Sequence, residues 1–193
     1  MIVTSPAADA VTGHAAKMYA DDLAADGFVF AYTQAMALNP EAHAAFEALI
    51  RSLVPSIGVR VFELATLGAA RGIRSSHCLL AHGRKTLRAG LMDEERLARL
   101  GRDYHDAELD AADLAVMTYA ERLSTDAASM TDADSQALRD VGFTDRQIVD
   151  ITLAAAARNF FSRTLLALAM PVESVPGIDG DLAEALLSPV RNG

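Results

Sequence analysis

Helix-starting and helix-stopping residues recur along the whole chain while strand signals are almost missing, and that contrast limits it to an all-α fold. Between the breakers lie segments rich in Ala, Leu, Met, Glu and Arg, the residues that lose least on entering a helix. Stops stand at Gly27, at Asn39 with Pro40, at Pro55, Gly72, Ala89 to Leu91, Gly142 and Pro171. Starts are marked by acids in "MDEER" and "LDAAD" and by a threonine ahead of acids in "TDAD" and "TDRQ". The pattern predicts helices near 8–25, 28–38, 40–53, 57–72, 75–89, 93–103, 110–127, 132–141 and 145–169. They form one domain over 1–173, followed over 174–193 by an arm with a short helix, suited to reach a neighbouring subunit.

With 193 residues, 51% of them hydrophobic, the chain can bury a core without metal or disulfide staples. A net charge of −9 and no run of Lys and Arg argue against nucleic acid or an anionic membrane as a partner. A neutral or cationic small molecule, or another protein, fits better. One cysteine makes no internal disulfide, so nothing points to an oxidising compartment. The first residues lack a basic region followed by an apolar run, and the longest apolar stretches are broken by Glu63, Arg71 or "RNFFSR". The expectation is a cytoplasmic protein with no membrane span.

Residues 57–72 and 145–169 are apolar nearly all round, as helices at the centre of a bundle are. At an offset of 86 they share nine identities over positions 60 to 81, from Arg60 with Arg146 to Ala81 with Ala167, which suggests a duplicated helix pair. In the second copy Glu63, Cys78 and His82 are replaced by Val149, Thr164 and Leu168. The polar set of the first copy is thus more than packing requires.

Cys78 falls in the first turn of a helix beginning near Ser75, where unpaired N–H groups and the helix dipole favour an anion and so the thiolate. His82 lies one turn on along the same face, able to take the thiol proton; His77 points about a quarter turn away. A short turn at 72–74 lets Glu63 on the preceding helix face the 78–82 turn, where an imidazole is the obvious partner for a core carboxylate. Glu63, His82 and Cys78 then read as a proton relay. Each member also has a plain structural reading: a buried cysteine, capping or surface histidines, and a glutamate paired with Arg60 or Arg71. Ser75 reads first as an N-cap whose hydroxyl bonds the N–H of residue 78. Zinc-type donors are present in His77, Cys78, His82 and Glu63, but adjacent His77 and Cys78 diverge, which strains a tetrahedral site.

Glu63, Ser75, His77, Cys78 and His82 at this spacing resemble the signature of the alkylhydroperoxidase D and carboxymuconolactone decarboxylase family. The stretches "KMYADDLAADGFVFAYTQAMALNPEAHAAFEAL" and "NFFSRTLLAL" are similar to its longer, peroxidase-related members, so the resemblance covers about residues 15–173. It implies an all-helical, internally duplicated, homo-oligomeric protein; no cofactor or metal is expected. By the same resemblance Cys78 matches the cysteine that attacks a hydroperoxide, Glu63 and His82 the proton relay, and His77 an accessory histidine. Ser75 departs from the pattern: it stands where the family's second cysteine closes a disulfide. Two chemistries stay open within the family. One is a one-cysteine cycle in which a thiol from outside reduces the sulfenic acid. The other is proton transfer by Glu63, His77 and His82 on an organic acid or lactone, without redox chemistry. A non-catalytic helical oligomer is the reading outside enzymology.

Overall fold

The computed structural model describes residues 2–191. They form α1 (Gly13–Asp26), α2 (Ala31–Met36), α3 (Pro40–Ile73), α4 (Ser76–Arg88) and α5 (Glu94–Arg102), then α6 (Ala111–Asp126), α7 (Asp132–Asp140), α8 (Asp145–Ala167), α9 (Gly180–Leu186) and α10 (Ser188–Arg191). Among the described residues there is no strand, only an isolated bridge between Val175 and Ile178. The start signals act as hydrogen bonds. Asp93 accepts from the N–H of Arg96 and Asp110 from that of Asp113, while Asn39, which the sequence marks only as a stop, caps the next helix by accepting from the N–H of Ala42 just ahead of Pro40. Thr144 and Gln147 each accept the other's backbone N–H, and at α7 the N–H of Thr131 donates to Asp134.

The break expected at Pro55 comes later. Helical hydrogen bonding runs past the proline, and the axis turns at Gly58, whose φ of 77° and ψ of 160° suit a residue with no Cβ. Beyond that kink α3 is the centre of the molecule: Ala65, Leu67, Ala69 and Ala70 have no exposed surface. Against it lie α6 and α8. A Cβ on Gly68 would stand 2.7 Å from the carbonyl oxygen of Met117, so α6 approaches backbone to backbone. An 18-residue window of α3 is long and apolar enough to cross a membrane, but 61% of it is buried inside the bundle, as in the core helix of a folded domain.

The expectation that α8 is central on every side does not hold. It buries Ile148, Ile151, Ala154, Ala155 and Leu165, yet leaves Val149, Leu153 and Phe160 between 40% and 56% exposed. The bundle covers only one side of this helix. The repeat is also limited. Residues 60–73 correspond to 146–159 helix on helix, but Arg74 ends α3 with a left-handed φ of 61°, whereas α8 runs unbroken to Ala167. The offset therefore equates a helix, a turn and a second helix with one continuous helix, and the helix pair is not repeated as a pair.

Residues 174–186 are not a free arm. Val175, Ile178, Leu182 and Leu186 enter the main core, and Leu186 is wholly buried against Gly83 of α4 and Gly101 of α5. Burying a leucine of this kind contributes roughly 1.5–3 kcal/mol. The tail belongs to the same folded unit as residues 1–173.

Candidate active site

The turn at Arg74 sends α4 back along α3, and Ser75 occupies the N-cap position of α4. Its side chain does not cap. Ser75 is fully buried and its hydroxyl has no hydrogen-bond partner, so the expected bond to the N–H of residue 78 is absent.

Folding α4 onto α3 brings Glu63 level with His82. The Glu63 Oε2 lies 2.6 Å from His82 Nδ1, and both side chains are buried. Burial pushes the Glu63 carboxyl upward, but His82, Lys85 and Arg158 outweigh it and hold the group below the usual carboxylate range. Burial, followed by the charge of Arg158, pushes His82 down to about 3 against the opposing pull of Glu63. The pair is thus a carboxylate accepting from a neutral imidazole. With Nδ1–H committed to Glu63, the Nε2 lone pair is left for the groove that His82 lines.

Cys78 stands in the first turn of α4, as its spacing from Ser75 predicts, and is 2% exposed. Among the described residues no hydrogen bond joins it to His82; its partners come from α8. The Ser162 hydroxyl donates to the sulfur at 3.0 Å and the Arg158 guanidinium at 3.5 Å. Arg158 is itself buried and lies 5.4 Å from the ring centroid of Phe161. Both α8 residues sit in "RNFFSR", which in the sequence reads only as an interruption of an apolar stretch. The available signal is a cation set among Ala and Phe on a core helix, since a buried guanidinium needs something to hold.

His77 lines the same groove as Cys78 and His82. Its Nε2 donates to the carbonyl of Pro171 at 2.8 Å, tying the segment after α8 to α4, while its Nδ1 is buried without a partner.

Cys78, His82 and Arg158 border a groove of about 280 Å³ whose walls are Tyr32, Phe46, Ile50, Phe62, Phe161 and Leu165. Lys85 stands in it, exposed. A second recess of about 310 Å³ continues past His77 and Lys85 toward Asp22, Asp26 and Arg84. The arrangement combines a thiol with two donors aimed at its sulfur, a neutral base on a carboxylate, and walls that are largely apolar.

No protein-family model matches the chain, and no curated protein matches it. Solved structures do. The alkylhydroperoxidase core of an uncharacterized peroxidase-related protein from Ralstonia eutropha JMP134 superposes with a TM-score of 0.77 at 20% identity, over 98% of this chain and 96% of that one. An uncharacterized peroxidase-related protein from Silicibacter sp. TM1040 has a TM-score of 0.78 at 26% identity, over 90% and 92%. The debrominase Bmp8, as a cysteine-to-alanine variant in complex with 2,3,4-tribromopyrrole, has a TM-score of 0.73 at 16% identity, over 98% and 97%. The chain has the all-α fold of the alkylhydroperoxidase D-like, peroxidase-related proteins.

Proposed function

We propose that this protein is a thiol-dependent peroxidase that reduces small organic hydroperoxides through Cys78, with a thiol from outside completing the cycle. The observation that carries this reading is the pair of donors, Ser162 and Arg158, on the Cys78 sulfur beside the Glu63–His82 pair. In the reaction the thiolate attacks the terminal oxygen of R–O–OH, the S–O bond forms as O–O breaks, and R–O⁻ leaves. The proton lost by the thiol is carried on His82 Nε2 and passed to the leaving oxygen, giving Cys–SOH and ROH. Glu63 orients the ring and supports its brief positive charge. Two molecules of external thiol then reduce the sulfenic acid: the first forms a mixed disulfide and water, the second displaces it as a disulfide and restores Cys78. Ser75 cannot take the first of these places.

The apolar groove walls favour hydroperoxides with a hydrocarbon body. Self-association is part of the proposal, and its support is the stripe of Val149, Leu153 and Phe160 on the outer face of α8. A second reading draws on the debrominase neighbour, whose bound molecule is a small halogenated ring: chemistry on an organic substrate by Glu63, His82 and His77 that does not consume peroxide.

The test is to incubate the protein with cumene hydroperoxide and dithiothreitol, follow peroxide loss, and look for a 16 Da gain on the Cys78 peptide by mass spectrometry. Loss of both signals in Cys78→Ser supports the peroxidase reading. Neither signal in the parent overturns it.

A further inference from the structure

Across the groove from the thiol, α1 and α3 bring together three side chains that the thiol chemistry does not use. His43 and Glu47 are four residues apart and so share one face of α3, and His14 meets them from α1. The His14 Nε2 lies 3.0 Å from His43 Nδ1 and 3.6 Å from Glu47 Oε2, and the three ligand atoms all lie within 4.8 Å of one another. A zinc ion with bonds of 2.0–2.1 Å sets tetrahedral ligand atoms about 3.3 Å apart, so these separations straddle the required spacing. The two ring nitrogens face each other at hydrogen-bond distance where the carboxylate also converges, an arrangement into which a cation can fit. Arg51 approaches Glu47 at 3.5 Å, but its side chain is 67% exposed and free to swing away.

We infer that His14, His43 and Glu47 form a binding site for one divalent transition-metal cation of the zinc type. Two imidazoles and a carboxylate are borderline donors that suit zinc and leave a fourth coordination position open. His43 and Glu47 also line the Cys78 groove, so that open position borders the same space, available to water or to an oxygen atom of a molecule held there. The sequence expectation of no metal weighed only the residues around Cys78, and His14 and His43 are too far apart in sequence to read as a pair. The inference stands apart from the peroxidase reading.

The experiment titrates the chelator-treated full-length protein with Co²⁺ and with Zn²⁺, following cobalt absorbance and heat, in the parent, His14→Ala, Glu47→Gln and Cys78→Ser. Circular dichroism checks that each variant is folded. One ion per chain is expected, with a tetrahedral cobalt spectrum that Cys78→Ser leaves unchanged and an affinity about a hundredfold or more weaker in His14→Ala and Glu47→Gln. Absence of saturable binding overturns the inference. So does a thiolate-to-cobalt charge-transfer band that vanishes in Cys78→Ser, which places the ion on the thiol instead.

Discussion

The hydroxyl of Ser162 donates to the sulfur of Cys78 at 3.0 Å, although the two residues are 84 positions apart and lie on different helices. A hydrogen bond of this kind is strongest when the sulfur is charged, because the acceptor then holds a full negative charge. The prediction is that Ser162→Ala keeps the fold and slows Cys78. Hydrogen bonds to charged groups contribute about 1.5–3 kcal/mol, so the rate of alkylation by iodoacetamide at neutral pH falls by about tenfold or more. An unchanged rate would show that the bond does not act on the reactive form.

Ser75 offers a gain-of-function test. Its hydroxyl is buried without a partner, and a thiol of similar size is less costly to bury than an unpaired hydroxyl. Ser75→Cys is therefore expected to fold and to place a second thiol one helical turn before Cys78. Peroxide treatment then yields an intramolecular disulfide, seen as the loss of two titratable thiols, where the parent yields a sulfenic acid or a mixed disulfide. If both thiols of the oxidised variant remain free, the turn at 75 does not present the side chain to Cys78.

The Glu63–His82 pair makes stability depend on acid. His82 is held down to about 3 in the folded protein, against about 6.5 in an unfolded chain, so between those values the unfolded state binds the extra proton. Stability from this group is fully present above pH 6.5 and declines as pH falls toward 3, with a slope approaching about 1.4 kcal/mol per pH unit. Glu63, whose carboxyl is also held down, adds its own loss at the acid end, below about 4.5. Urea unfolding of the parent between pH 4 and 7 should show this slope, and His82→Asn should flatten it. Parallel curves for the two proteins would show that His82 is not the group responsible.

Packing supplies a test of the core. At Gly68 an added methyl meets backbone, the carbonyl of Met117, so relief requires α6 to move. Gly68→Ala is expected to cost about 1–3 kcal/mol in urea unfolding despite the better helix propensity of alanine. At Gly83 the nearest atom is the tip of Leu186, a flexible side chain, and the same substitution should cost less. Equal costs at the two sites would contradict the close approach of α3 and α6.

Much of this molecule is legible in its local sequence. The N-caps at Asp93, Asp110 and Thr144 act within a few residues, so a linear reading finds the helices they bound, whereas the stop read at Gly72 falls at Arg74, in the left-handed region. The same is true of Glu63 facing His82, since a short turn between two helices leaves little freedom in how they fold back. Legibility ends where a residue has a choice that distant neighbours settle. Ser75 holds the N-cap position but not the cap bond, and Pro55 passes through a helix that Gly58 then breaks.

The sequence by itself determined the all-α class, the position of Cys78 in a first helical turn, and the i, i+4 relation of Cys78 with His82, because these follow from backbone geometry over one turn. Only the tertiary structure decided which groups hold the sulfur, that His77 ties down Pro171, that the tail joins the core, and that His14 meets His43 and Glu47. Those contacts cross from one helix to another, and the packing of apolar faces that sets them is a property of the whole bundle rather than of any stretch within it.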